Sequence, residues 1–568
     1  MPVSMRASCW SLWAFLLMVL FSPDAVAQAR SDPGVGLLEA LSTPTTTLLR
    51  SHTRFLSDDL LEGRAPCSDG GLIAARYLAA ELEALGLLPM GPGEEFLQPV
   101  PLTAVRGSAT LTIGAHQQTI TLSPGIDFVA WPQAGHVPVA ADGELVFVGY
   151  GIRAPEWGWD DFGTETLNGK VALVLSGEPA PADSTAFHGE QPTRYGTPEY
   201  KVQQAARAGA RGVLLVRADD DDLPWSAIAA AHRGTHYFVD GRPVSNLEFA
   251  AWIPESTARR ILSASARDFD LLVRRAKLDG FRPMSVGAHA VIRIRGTPTP
   301  CEAVNVVARV KGRDPVLSEQ HVVLLAHYDH LGIGPPADGD SIYNGAESNA
   351  SGVATLLAAA AGFAAASERP RRSVLFLATT AGEAGWWGAR AFVADPPTPL
   401  EHIVAVVNID RASVRGATRD IRGLGAEESG IEPYLQDAAT AEQLSVAAGS
   451  SVDLRWFYRS DHLPFAAAGI STVLVRPGLS VLNRPDGWGA QEEARYLANQ
   501  YRQPSDGLRG SWDYRGMLQG VRLIIRLGWV LAESEEFPTW AERSEFGAAA
   551  QQLRVRRMRS SPGSTNRR

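Results

Sequence analysis

The run LLAHYDHLG brings His327, Asp329 and His330 close together, directly after an apolar segment that reads as a strand. An imidazole followed two residues later by a carboxylate suits a metal ligand backed by an orienting acid. Four more runs carry similar chemistry. TTAGEAGWWGARAF holds Glu383, VVNIDRA holds Asp410, YRSDHLPF holds Asp461 and His462, and NQYRQPSD holds Arg502 and Asp506. A lone histidine at a strand end is more often a structural residue. An ordered series of His, Glu and Asp, each just past a strand, points instead to metal-assisted hydrolysis. No CxxC pair is present, so any metal rests mainly on His and carboxylate donors.

These residues need a scaffold. From about Glu302 the apolar runs NVVARV, HVVLLAH, SVLFLATT, IVAVVNID and STVLVRPG alternate with helical stretches such as SGVATLLAAAAGFAAA. Strands that are apolar on both faces, separated by helices, predict a parallel-rich α/β sheet covered on both sides. Ligands of such sheets bind beyond the strand ends, where the polar residues cluster. Upstream, TTTLLRSHTRFLSDDLLEGR and GGLIAARYLAAELEALGLLPMG have the three-and-four spacing of amphipathic helices. FLQPVPL and SATLTIGAHQQTITLSP alternate like strands. From about Val137 the texture changes to strand runs parted by Gly and Asp turns, with TPEYKVQQAARAGARGVLLVRA as a helix feeding a buried strand. This predicts a β-rich module of its own.

Composition bounds the rest. The 568 residues, 45% hydrophobic and 20% charged, describe a globular chain of two or three domains. A net charge of -9 argues against a nucleic-acid partner. Arg6, the apolar run CWSLWAFLLMVLF and the A-x-A at Ala25–Ala27 predict a signal peptide, residues 1–27, and export to the periplasm or beyond. The run is short for a membrane span, and no transmembrane segment is expected in the mature chain. Cys67 and Cys301 could bridge in an oxidising compartment, but the sequence leaves their pairing open. Asp219 to Asp222 reads as a solvated loop, and the basic segment 541–568 as a disordered tail.

The motifs together resemble the aminopeptidase Y / glutamate carboxypeptidase II family of co-catalytic zinc exopeptidases. VFVGYGI, KVQQAARAGARGVLLV, NVVARVKG, HYDHLG, GAESNASGVATLL, GEAGWWGARAF, NIDRA, SDHLPF and YRQPSD occur in the family's order. The resemblance implies a zinc-aminopeptidase fold whose N-terminal part is residues 28–130. A protease-associated (PA) domain and connecting helix would follow at 131–290, with the main α/β part at 291–540. It also implies two zinc ions bridged by an Asp, with an adjacent Glu as general base. Residue by residue, His327 and Asp410 match ligands of the first zinc, Glu383 matches a ligand of the second, and Asp329 lies behind His327.

Three positions depart from the family. The bridging Asp of GAxDNASG is Ser348, the base Glu of AEE is Gly382, and the His of YHxPxD is Arg502. A neutral serine hydroxyl is a poor zinc ligand, and loss of the positioned base alone costs about 10²–10⁴ in rate. Arg502 brings a fixed cation to a cation site and offers Glu383 a bidentate partner. Glu347 adjoins Ser348, but neighbouring side chains commonly point in different directions.

The sequence therefore predicts a family member with a degraded co-catalytic site that binds a peptide or protein ligand, with zinc binding in doubt. The alternative is an active metallo-aminopeptidase on a reduced or single zinc held by His327, Glu383 and Asp410. Three structural expectations follow. Arg502 should meet Glu383, the Ser348–Asn349 peptide bond should be cis as in the family, and the N-terminal helices should pack on the α/β sheet beneath a module that covers the strand ends.

Overall fold

The computed structural model describes residues 34–560 except 117, 134–136, 180–186, 188–191, 219–222, 240–244 and 450. The expected signal peptide, the acidic run 219–222 and the last eight residues of the basic segment lie outside the described residues.

Helices α1 (Val35–Ser42), α2 (Thr46–Leu56) and α3 (Asp69–Ala84) start on side-chain caps where the sequence offers them. Thr45 accepts from Leu48 N and Ser68 accepts from Gly71 N. Their apolar stripes, including Leu37, Leu49, Leu56, Leu78 and Leu82, share one core with Val322, Leu324 and Phe376 of the α/β sheet. The N-terminal segment is thus part of that sheet's cover.

Strand β1 (Leu97–Ala115) leads into β2 (Val129–Pro132), β3 (Val139–Phe147) and β4 (Val171–Leu175). Then come helix α4 (Pro198–Arg207), β5 (Gly212–Arg217), β6 (Phe249–Pro254) and the 27-residue strand β7 (Met284–Val310). β7 pairs antiparallel with β1 from Ala288↔Ala115 to Val306↔Leu97. This ribbon runs through both halves of the molecule. Its outer part, with Leu111, Ile113, Ile292 and Ile294, belongs to the core of the β-rich module, which also contains Phe147, Leu173 and Leu214. Its inner part, with Val306 and Ala308, belongs to the α/β core.

The module therefore does not begin near residue 131 as the sequence suggested. Leu111, Ile113, Ala115, Leu122 and Phe128 already pack in it. The reason is physical: one strand long enough to serve two cores gives no compositional break at the boundary.

The α/β part continues through β8 (His321–His327), α5 (Ser351–Ala365), β9 (Ser373–Thr379), β10 (Ile403–Ile409), β11 (Asp420–Leu424), β12 (Ser445–Ala447), β13 (Thr472–Pro477), α6 (Trp488–Asn499) and α7 (Tyr514–Glu533). The strand order is β12-β11-β13-β10-β8-β9-β7-β3-β4-β5-β6-β2, a mixed sheet. β9, β8, β10 and β13 run parallel at its centre. Their residues are buried on both faces, as their unbroken apolar sequence requires. Helix 346–365, the described helix long and apolar enough to cross a membrane, is buried in this core, under α7 and α2.

Two features differ from or complete the sequence reading. Cys67 and Cys301 form a disulfide, with Cα atoms 5.9 Å apart across 234 residues, joining the segment before α3 to β7. The basic segment is not structureless throughout: Gly547–Ser560 forms helix α8. Leu553 is buried against Ile403, Val406 and Phe465. Arg557 donates to the carbonyls of Glu401 and Ile403 at 3.1 and 2.7 Å. One leucine and one arginine dock this helix, a signal too sparse to show as periodicity.

Candidate functional site

The parallel strands end together. β8 ends on His327, Asp410 follows β10, and the turn after β9 carries Gly382 and Glu383. The loop 344–350 enters α5 from the same side. Its Gly345 has φ +58°, and a Cβ there would stand 2.4 Å from the His330 ring, so glycine is required. The Ser348–Asn349 bond is cis. Asn349 binds the loop to the strands: its Nδ2 donates to the carbonyls of Ile409 (2.9 Å) and His327 (3.3 Å), and its Oδ1 accepts from Arg411 N at 2.9 Å. Asp506 fixes the loop from above, accepting from Glu347 N at 2.9 Å and Ser348 N at 3.2 Å.

Two unlike pockets result. Around His327 lie acids. Its Nδ1 is 3.6 Å from Asp329, whose carboxylate also accepts from Gly382 N at 2.9 Å. Burial opposes charge on His327, but Asp329, Asp461 and Asp410 together push its pKa up to about 10. Burial raises Asp461 to about 7, with His327 pulling the other way. Asp461 also accepts from Thr379 Oγ1, and Asp410 from Ser460 Oγ. The space above Gly382 is already taken. A Cβ there would stand 2.6 Å from His327 Cβ and 2.9 Å from Asp461 Oδ2.

The second pocket is cationic. Arg502 Nε and Nη2 both donate to Glu383 Oε2, at 2.8 and 2.6 Å. The other carboxylate oxygen of Glu383 is 3.5 Å from His330 Nδ1. Burial alone would raise Glu383, yet Arg502, then His330 and His327, hold it well below the usual carboxylate range. The Arg502 guanidinium lies 5.1 Å from the Tyr501 ring centroid.

The model of peptidase family M28 matches residues 305–519. These residues are a peptidase family M28 domain. No curated protein matches the chain. Among solved structures, an aminopeptidase from Aneurinibacillus sp. strain AM-1 superposes with a TM-score of 0.52 at 17% identity, covering 89% of this chain and 98% of its own. A zinc aminopeptidase from Bacillus subtilis gives 0.47 at 16%, covering 89% and 97%. At such identities the first likeness is one of fold.

Within residues 305–519, Glu347 adjoins Ser348 but does not join the groups around His327. Its carboxylate is turned away, accepting from Arg411 Nη2 at 2.5 Å and from Arg415 Nη1 and Nη2 at 2.8 and 3.0 Å. Sequence reasoning missed this pair, and with it a buried set in which Glu493 of α6 meets Arg422, Arg476 and Arg411 at 2.7, 3.0 and 3.7 Å. It also missed Arg64. That side chain is buried and donates to the carbonyls of Tyr328, Asn344 and Gly345 at 2.8, 2.7 and 3.2 Å, tying the N-terminal segment to both site loops. Nothing in the sequence marked Arg64; only the structure shows that Glu62, Gly63 and Arg64 all have positive φ, which turns this side chain inward.

Above the two pockets lies a cleft of about 750 Å³ between the M28 domain and the β-rich module. Glu383, Arg502, Trp386 and Trp387 face Trp131 and His232 across it. Trp131 and His232 stack with centroids 4.2 Å apart. A cleft of this size, lined by aromatic, apolar and charged side chains together, suits a ligand of several residues.

Proposed function

We propose that this chain is an exported M28-family protein that holds a peptide or protein segment in the cleft and does not hydrolyse it through a two-zinc centre. The observation that carries this reading is Arg502 on Glu383. A permanent cation occupies the carboxylate that would serve the second zinc, with both donors on one oxygen. The donor set around it points the same way. Ser348 supplies a neutral hydroxyl where the ions would be bridged, Glu347 is engaged elsewhere, and Gly382 supplies no base. These side chains do not fit a pair of zinc ions, and no catalytic step is assigned to one. The β-rich module, walling the cleft with Trp131 and His232, is read as the PA domain that the sequence suggests. Export is supported by the N-terminal sequence and by the Cys67–Cys301 bridge, since disulfides persist in oxidising compartments.

A second reading has one specific support. His327 faces Asp329, Asp461 and Asp410, an acidic pocket that attracts a cation. A single-zinc aminopeptidase would use that side.

The test is metal content and activity on the purified chain after incubation with zinc. We expect well under one zinc per chain and no release of chromophore from aminoacyl nitroanilides. Tryptophan fluorescence should meanwhile change on titration with a mixed peptide pool. Stoichiometric zinc with turnover would overturn the proposal in favour of the second reading. No fluorescence change with any peptide would remove the ligand-binding part.

A further inference from the structure

The chain carries a net charge of -9, yet residues 547–568 contribute six arginines and no acid. Helix α8 orders part of this charge. Leu553 and Arg557 face inward and dock it, and Arg557 lies over the Phe537 ring at 4.1 Å. The opposite face is exposed. Val555 and Met558, three residues apart and so on one side of the helix, are 38% and 57% exposed. Arg554, Arg556 and Arg559, all exposed, flank them. Two apolar side chains between rows of guanidinium groups have the pattern of a helix that lies in a lipid headgroup layer.

We infer that α8 docks the protein on an anionic lipid surface. The observation that selects this occupant is charge complementarity with a direction. The rest of the chain carries a net negative charge, which such a surface repels, whereas the arginine-rich helix is drawn to it. A soluble polyanion would use the arginines but has no need of Val555 and Met558, whereas the headgroup region accommodates both.

The docked orientation also follows. Arg557 binds carbonyls at the start of β10, whereas His327, Glu383 and Asp410 lie past the opposite ends of the parallel strands. A membrane beneath α8 leaves the cleft facing away and open to ligand.

The test is co-sedimentation of the full chain with vesicles of equal parts phosphatidylglycerol and phosphatidylcholine, against phosphatidylcholine alone. Binding is expected to the anionic vesicles only. Replacing Arg554, Arg556 and Arg559 together by Gln should weaken it about a hundredfold. Val555→Ser with Met558→Ser should weaken it about tenfold. Thermal melting of both variants is measured alongside, and a melting temperature equal to the parent's assigns lost binding to the lost side chains rather than to unfolding. High salt should release the protein, because screening shortens from ~10 Å at 0.1 M to ~3 Å at 1 M. Equal binding to neutral vesicles, no binding, or an unchanged arginine variant would overturn the inference. Preference for heparin that is indifferent to Val555 and Met558 would also overturn it and make the helix a polyanion site.

Discussion

Glu493 and Glu383 are two acids held by arginines, and their surroundings differ. Glu493, inside α6, meets Arg411, Arg422 and Arg476, whose side chains are at most 3% exposed. Arg476 is packed at 4.4 Å on the Trp456 ring, and Arg411 at 4.2 Å on Tyr496. Glu383 has one arginine, which is 18% exposed at the cleft. Three sealed guanidinium groups cannot exchange their partner for water, but Arg502 can. The first arrangement fixes α6 to the sheet. The second ties Glu383 to a side chain that retains access to solvent, so its partner can be changed without dismantling the fold.

Neutralising each acid in turn should give the largest difference between the two sites. Glu493→Gln should cost about 3–5 kcal/mol, because it strands buried charge. Glu383→Gln should cost about 1 kcal/mol, since Arg502 can turn to cleft water. Urea denaturation of both variants measures the difference, and equal losses would erase the distinction.

Gly382→Ala comes next. Its Cβ has no room between His327 and Asp461, so an overpacking cost of about 1–3 kcal/mol is expected. The same crowding sharpens the zinc question. Arg502→His with Ser348→Asp should raise zinc uptake measured by isothermal titration, while adding Gly382→Glu should lower the melting temperature before it restores any hydrolysis. Hydrolysis by Arg502→His alone would show that the clamp was the sole obstacle.

A smaller effect separates both acids from the rest of the core. Burial opposes ionisation of each, yet the arginines hold both well below the usual carboxylate range, so neither titrates in mild acid. His52 does affect that window. Burial holds its pKa down to about 4, with Nδ1 2.7 Å from the Tyr77 hydroxyl. A depressed folded pKa gives stability that is complete above the unfolded value near 6.5 and lost as pH falls toward 4. His52→Gln should therefore flatten the stability profile between those limits by up to ~1.4 kcal/mol per pH unit. An unchanged slope would mean that His52 is not the titrating group. Arg415→Met should be the mildest change, below about 1 kcal/mol, because Arg415 is 19% exposed and Arg411 still holds Glu347.

What could be read in advance follows from how each signal is carried. HVVLLAH, SVLFLATT and IVAVVNID are buried on both faces, and an unbroken apolar run announces that directly. His327, Glu383 and Asp410 follow such runs, so their convergence came with the strands. The meeting of Arg502 with Glu383 was legible because both fall in motifs whose order fixes a shared site. Arg64 and the direction of Glu347 were not legible, since an isolated charged residue carries no periodicity and its partners lie far away in sequence. The extent of β7 was hidden for another reason. Gly296, Pro298 and Pro300 interrupt any strand-like alternation in the sequence, yet they lie within a ribbon paired to β1.

By itself, the sequence determined the sheet, its order of chemical groups and the departures at Ser348, Gly382 and Arg502. Those depend on local pattern and residue type, which are written in the chain. The tertiary structure alone decided that Cys67 meets Cys301, that Glu347 turns to Arg411, that Asp461 takes the space above Gly382, and that α8 docks through one leucine and one arginine. Each is a contact between segments far apart in sequence. Which charge finds which partner there is set by packing and desolvation, and neither is encoded in the spacing of residues along the chain.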